Sequence, residues 1–252
     1  MIGIFDSGVG GLSVLRKIRE KAPHANIIYF GDTANAPYGT RPSFELKALT
    51  ESAVEFLLSQ GARDIVSACN SVSAFMTLSE SGLLAQVPLS IIEMARPTVR
   101  ALARDFREKN IVFFATPATI ESGIYARGCA ESGINGTFVA VPELAGAIES
   151  GAPRRDIQNI ITRAIAELPH DTDVVSLSCT HYPFARDIFI EEIARAGLAA
   201  ETFDPADSVA AEVCSGCEIT GEGKTRFLIS RDSPVFRWLA EEHFGNTDIE
   251  VI

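Results

Sequence analysis

Short apolar runs recur along the chain: Ile2–Phe5, Ile27–Phe30, Ile65–Ser67, Leu89–Ile92, Ile111–Ala115, Thr137–Val141, Val174–Leu177 and Arg226–Ile229. Runs of this length, without polar alternation and rich in β-branched and aromatic residues, predict strands buried on both faces. Longer stretches with helical periodicity separate them, among them Gly10–Lys21, Ser43–Gln60, Arg154–Leu168 and Pro183–Ala196. Buried strands alternating with helices predict an α/β protein with largely parallel sheets. Several runs end directly in polar clusters: Asp6-Ser7-Gly8, Gly31-Asp32-Thr33, Cys69-Asn70-Ser71 and Cys179-Thr180-His181. In open α/β sheets ligands bind beyond the carboxyl ends of the strands, so these clusters mark where chemistry is expected.

A faint internal repeat organises the pattern. Asp64-Ile65-Val66-Ser67-Ala68-Cys69-Asn70 resembles Asp173-Val174-Val175-Ser176-Leu177-Ser178-Cys179-Thr180, and the two cysteines lie 110 residues apart. The same offset carries Ile2–Phe5 near Ile111–Phe114, Asp6 onto Thr116, and Ile27–Phe30 near Thr137–Ala140. A shared offset across three strands predicts two similar, pseudo-symmetric α/β units with a cleft between them. The expected crossings, near Glu93–Pro97 and Asp204–Ala206, give residues 1–94 plus 206–252 as the first unit and 95–205 as the second.

Composition narrows the function class. The 252 residues are 46% hydrophobic and 22% charged, enough for one large or two small cores. The net charge of -11, with no Lys/Arg cluster, argues against nucleic acid or an anionic membrane as partner. No apolar stretch approaches the roughly 20 residues of a membrane span, and no signal-like start is visible. Five scattered cysteines, an odd count, argue against a disulfide framework and for a reducing cytoplasm.

Cys69 and Cys179 are the leading candidates for chemistry. Each follows an apolar strand and precedes a small polar residue that opens a helix, where positive potential lowers a thiol pKa. Two such cysteines at equivalent ends of two similar units suit opposite sides of one substrate. Racemisation needs this arrangement, because an α-proton leaves one face of the carbon and returns to the other. His181, two residues after Cys179, reaches the same side if the backbone is extended. A Cys-His hydrolase dyad leaves Cys69 without a role. Asp6-Ser7-Gly8-Val9-Gly10-Gly11 is expected to make a tight turn, and its helix start can bind an anion. It fails the dinucleotide fingerprint because Ser13 stands where Gly is needed. Pro37-Tyr38-Gly39 forms a loop whose N–H groups can cradle a carboxylate. Cys214-x-x-Cys217 lacks the second ligand pair of a zinc site.

Together these residues resemble the glutamate racemases. The matching segments are Ile4-Phe5-Asp6-Ser7-Gly8-Val9-Gly10-Gly11, Tyr29-Phe30-Gly31-Asp32-Thr33, Pro37-Tyr38-Gly39, Ala68-Cys69-Asn70-Ser71 and Cys179-Thr180-His181-Tyr182-Pro183, with weaker matches at Ala115-Thr116, Thr119 and Pro142 to Glu149. The resemblance implies two pseudo-symmetric α/β domains with the substrate between them, and neither pyridoxal phosphate nor metal. It implies Cys69 and Cys179 as bases for opposite enantiomers, with Asp6, His181 and Glu149 as supporting acid/base groups. Asp6, Ser7, Pro37, Tyr38, Gly39, Asn70, Ser71, Thr116, Thr180 and His181 are implied as the amino-acid pocket. It further implies D-glutamate supply to bacterial peptidoglycan, and often a homodimer. Departures are Ser71 for Thr, Asn35 for Arg in the Gly-Asp-Thr-Ala-Arg run, Val141 for Cys, and Ser178 where Gly is frequent. Asn35 removes a cation beside the pocket and leaves open a racemase of aspartate or another amino acid. A dicarboxylate isomerase or decarboxylase, and a non-catalytic amino-acid-binding relative, are the remaining alternatives.

Overall fold

The computed structural model describes residues 1–77, 90–245 and 248–252. In chain order its elements are β1 (Ile2–Asp6), α1 (Gly11–Lys21), β2 (Ile27–Gly31), α2 (Ser43–Ser59), β3 (Asp64–Ser67), α3 (Ser73–Thr77), β4 (Ser90–Ile92), α4 (Ala95–Asp105), β5 (Ile111–Ala115), α5 (Pro117–Glu121), α6 (Ile124–Ser132), β6 (Gly136–Ala140), α7 (Leu144–Glu149), α8 (Arg154–Ile165), β7 (Val174–Leu177), α9 (Arg186–Arg195), β8 (Glu201–Phe203), α10 (Ala206–Gly216), β9 (Thr225–Ile229), α11 (Pro234–Phe244) and β10 (Ile249–Val251). The first residue of the expected strand Leu89–Ile92 lies outside the described residues.

The strands form two sheets, ordered β10-β9-β2-β1-β3-β4 and β6-β5-β7-β8. Every neighbouring pair is parallel. The four strands common to both follow one order, and their registers correspond. Ile2 pairs with Ile27 and Asp64, while Ile111 pairs with Gly136 and Val174. The repeat read from the cysteines is therefore a repeat of topology.

β1 and β5 are buried at every position because helices cover both faces of each sheet. One core joins the first sheet to α1, α10 and α11, and another joins its opposite face to α2. The second sheet packs one face on α7, α8 and α9 and the other on α4 and α6. Phe184 packs against a core of each sheet.

Local sequence explains several boundaries. Thr116 caps α5, its hydroxyl accepting from Thr119 N at 3.3 Å, with Pro117 at the first helical position. α6 stops at Gly133, whose φ of 65° suits a residue without Cβ. The expected helix Pro183–Ala196 begins later: Tyr182–Ala185 is a 3-10 turn, and α9 starts at Arg186. Helix Arg154–Leu168 ends early, at Ile165. β8 and β10, three residues each, were too short for an apolar run to reveal. Among the described residues no helix is long and apolar enough to cross a membrane.

Candidate active site

Cys69 and Cys179 each stand two residues beyond the end of their strand, β3 and β7. The backbone repeats around them. Ala68 N donates to Phe5 O and Ser178 N to Phe114 O, both at 2.8 Å. The Cys69 carbonyl then accepts from Val72 N at 3.4 Å, and the Cys179 carbonyl from Tyr182 N at 3.0 Å. Both thiols are free and 5% exposed.

The sequence suggested that the following helix would lower the pKa of each thiol. For Cys69 the opposite holds. Burial pushes its thiol well above the usual range, reinforced by the charges of Asp6 and Cys179. The Ser71 and Ser7 backbone N–H groups pull it down but do not compensate. Burial outweighs the short 3-10 turn Asn70–Val72, whose dipole is small.

Asp6 ends β1 with no exposure. Its Oδ1 accepts from Gly8 N at 2.9 Å and its Oδ2 from the Thr180 hydroxyl at 3.2 Å. Burial raises the Asp6 pKa against the charge of His181 and the Gly8 bond, which lower it. Thr180 thus ties the residue beside Cys179 to the carboxylate whose charge acts on Cys69. Ser13 Oγ donates to the Thr180 carbonyl at 2.9 Å and closes the same seam.

His181 stands between Cys179 and Glu149. Its Nδ1 is 3.7 Å from Cys179 Sγ, and its Nε2 is 2.6 Å from Glu149 Oε2. The expected extended backbone is not what achieves this. His181 is helical, with φ −75° and ψ −34°, and a turn brings its ring back onto the thiol. Burial opposes the imidazolium, but the bonds and charges of Cys179 and Glu149 outweigh it and raise His181 well above its ordinary value. Burial likewise opposes the Glu149 carboxylate, yet the His181 bond leaves its pKa lowered. Glu149 Oε2 also accepts from Val9 N at 3.0 Å. The anion expected at the start of α1 is therefore the protein's own Glu149.

The glycines of this loop have a different purpose from the one expected. Gly10 is helical, with φ −56°, and none of Gly8, Gly10 and Gly11 has positive φ. Their lack of a Cβ instead lets groups approach closely. A Cβ on Gly8 would lie 2.2 Å from Glu149 Oε1, and one on Gly10 would lie 2.5 Å from His181 Nδ1.

The remaining expected pocket residues converge on the same seam. Ser71 Oγ and Thr116 Oγ1 are 3.0 Å apart, and Thr116 Oγ1 lies 2.9 Å from Thr119 Oγ1. A Cβ on Gly39 would meet Thr116 Cγ2 at 2.6 Å. Ser7, Tyr38, Asn70 and Thr180 are buried, and Pro37 is half-buried beside Gly146 of α7. Asn35, where a cation was missing, donates to both oxygens of Asp32 at 3.0 and 2.9 Å. Arg41 supplies a nearby guanidinium, bonding the Asn35 carbonyl at 2.8 Å. The Cys214–Cys217 pair lies far along the chain at the end of α10, with Cys214 exposed.

Known proteins resemble this chain over most of its length. No family model matches the chain. It is 37% identical to the glutamate racemase of Lactobacillus johnsonii, over 83% of this chain and 77% of that protein. The chain belongs to the glutamate racemase family. A glutamate racemase isoform of Bacillus anthracis superposes with a TM-score of 0.86 at 28% identity, over 100% of this chain and 96% of that one. The glutamate racemase of Thermus thermophilus, solved with beta-chloro-D-alanine, gives 0.80 at 30% identity over 100% and 95%. The chain is accordingly an amino-acid racemase, an isomerase, built on the two-sheet α/β fold of that family.

Three residues of this racemase's seam escaped the sequence reading of the site. Tyr29 donates to the Gly8 carbonyl at 2.8 Å. Asp32 accepts from the Tyr38 hydroxyl at 2.6 Å and from the Ser230 hydroxyl at 2.7 Å. Tyr125 donates to Asn70 Oδ1 at 2.5 Å. The first two lie in a matching segment, so a signal existed. Tyr125 reads as an ordinary core aromatic.

Proposed function

We propose that this racemase interconverts L- and D-glutamate with two facing thiols, Cys69 and Cys179, and no cofactor. The observation that carries the reading is the pairing of Cys179 with His181 and Glu149 on one side, against Cys69 with Asp6 on the other. A thiolate takes the α-proton: the C–H bond breaks, an S–H bond forms and the electron pair stays on the substrate carbon. The opposite thiol then donates its proton to the other face, and the cysteines have exchanged roles.

Cys179 acts as base when the α-hydrogen faces it, with the His181 imidazolium beside it. Cys69, which burial keeps protonated, is then the acid. For the other enantiomer Cys69 is the base, and Asp6 is the adjacent carboxylate that takes up its proton. Ser7, Pro37, Tyr38, Gly39, Asn70, Ser71, Thr116 and Thr180 line the amino-acid pocket in this reading. Asn70 Nδ2, buried and without a partner among the described residues, is a donor suited to a substrate carboxylate. Excluding water from so buried a site strengthens each of these bonds.

In this reading residues 1–94 plus 206–252 form one unit and 95–205 the other, a division supported by the presence of two sheets. The family resemblance supports a cytoplasmic homodimer supplying D-glutamate for peptidoglycan. The test is incubation of the reduced protein with L-glutamate in D₂O without added cofactor, following optical rotation and the α-proton signal, with L-aspartate in parallel. Loss of rotation on glutamate with deuterium entering the α-carbon is expected. Turnover of aspartate alone overturns the substrate, and activity only with an added cofactor overturns the mechanism.

A further inference from the structure

Asn70 and Cys179 come from different sheets, yet one hydrogen-bonded path connects their surroundings. Tyr125, the second residue of α6, is 2% exposed, and its ring lies 5.1 Å from that of Phe113. Its hydroxyl donates to Asn70 Oδ1 at 2.5 Å. A phenol has one proton, so its oxygen is left to accept from a neighbour. The Thr98 and Ser178 hydroxyls are both its hydrogen-bonding neighbours, Thr98 the stronger, and Ser178 adjoins Cys179 in the chain. Ser178 Oγ in turn lies 2.9 Å from Ser176 Oγ. Because Tyr125 gives its proton to Asn70 Oδ1, these neighbouring hydroxyls can only donate to its oxygen.

The end of that path fixes an orientation. A carboxamide can turn over and exchange its oxygen and nitrogen, and the exchange costs nothing unless a partner distinguishes them. The Tyr125 proton makes that distinction, requiring oxygen on its side. Asn70 Nδ2 is then the end left over, and among the described residues only it and Arg16 Nε are buried side-chain N or O atoms without a partner. A buried donor without an acceptor is unfavourable until a ligand supplies one.

We propose that Tyr125 is a positioning residue of this racemase, holding Asn70 with its N–H donors free for the substrate carboxylate. This rests on the reading of Asn70 as a substrate-binding residue. Tyr125 acts through Asn70, and its effect disappears when Asn70 is removed.

The test is a double-mutant cycle in steady-state kinetics with both enantiomers of glutamate, each variant first checked by thermal melting. Asn70→Ala is expected to lower kcat/KM at least tenfold. Tyr125→Phe, which keeps the ring packing, is expected to lower it about tenfold, chiefly through KM, the scale of one lost hydrogen bond to a charged group. Tyr125→Phe is expected to add nothing in the Asn70→Ala background. Ser178→Ala is expected to raise KM by a smaller factor and to have no effect on top of Tyr125→Phe. Unchanged activity in Asn70→Ala defeats the reading of Asn70 and the proposal with it. Loss in Asn70→Ala together with a neutral Tyr125→Phe, or losses that multiply, defeats the proposal alone. If Tyr125→Phe does not fold, Ser178→Ala and Asn70→Ala form the same cycle with the same criteria.

Discussion

Replacing Gly8 by alanine adds one carbon at the tightest point of the seam. That carbon would lie 2.2 and 2.4 Å from the two Glu149 oxygens and 2.5 Å from its Cδ, where ordinary contact begins at 3.4 Å. The backbone does not object, since Gly8 lacks positive φ. The carboxylate must therefore retreat by about 1 Å. Its bonds to His181 Nε2 at 2.6 Å and Val9 N at 3.0 Å do not survive such a retreat. A hydrogen bond involving a charged group contributes about 1.5–3 kcal/mol, which predicts a fall in kcat/KM of about 10- to 150-fold when one is lost from the working geometry. Polarimetry on D- and L-glutamate measures this. The pH profile gives a second readout. His181 is raised in part by Glu149, so losing that partner moves the alkaline limb to lower pH. Stability should fall as well, because the clash and the loss of these buried bonds outweigh the about 0.4–1 kcal/mol gained by restricting the unfolded chain. Wild-type kcat/KM with an unmoved alkaline limb would refute the reasoning.

Cys69→Ser and Cys179→Ser should each lower racemisation by about 10²–10⁴-fold. Each should still exchange the α-proton of one enantiomer with D₂O, read by proton NMR; full activity in either variant removes the two-thiol mechanism. Thermal melts across the pH range should show the His181–Glu149 pair. His181 is raised above 6.5, so its share is complete below that value and is lost as pH rises through its folded pKa. Glu149 is lowered from 4.5, so its share is present above that value and is lost as pH falls through its folded pKa. Glu149→Gln should flatten both limbs and also bring Asp6 down, because the charge of Glu149 helps to raise it. Native thiol titration should find one fast cysteine, Cys214, and five after denaturation. Burial protects Cys69, Cys179 and Cys129, and holds the Cys129 thiol near about 11 and Cys217 near about 12.

The β-rich runs and the cysteine repeat were legible because fully buried parallel strands leave unbroken apolar segments. The repeat pointed to two similar units but not to their strand order, which is set by pairings remote in sequence. The site was legible where chemistry requires an unusual residue at a strand end, as at Asp6, Cys69 and Cys179. Other features depend on partners remote in sequence. Glu149 meets Val9 across 140 positions, and Tyr125 meets Asn70 across 55. The turn expected at Gly8–Gly11 is there, but the atoms of Glu149 and His181 that exclude a Cβ at Gly8 and Gly10 come from remote segments that a local turn argument does not see. The direction of the Cys69 shift was missed for the same reason. Burial arises from tertiary packing, whereas the helix start is visible locally.

The six-stranded sheet has an implication for synthesis. β2 is an interior strand only because β9 pairs with its outer edge, and β9 begins at Thr225. On the ribosome, every strand of the four-stranded sheet emerges before that partner exists. Until then Ile27–Gly31 presents an open apolar edge, the kind of template that mispairs with other nascent strands. A chain that stalls before Thr225 is therefore a client for chaperones, even though its later-made half already holds a complete sheet.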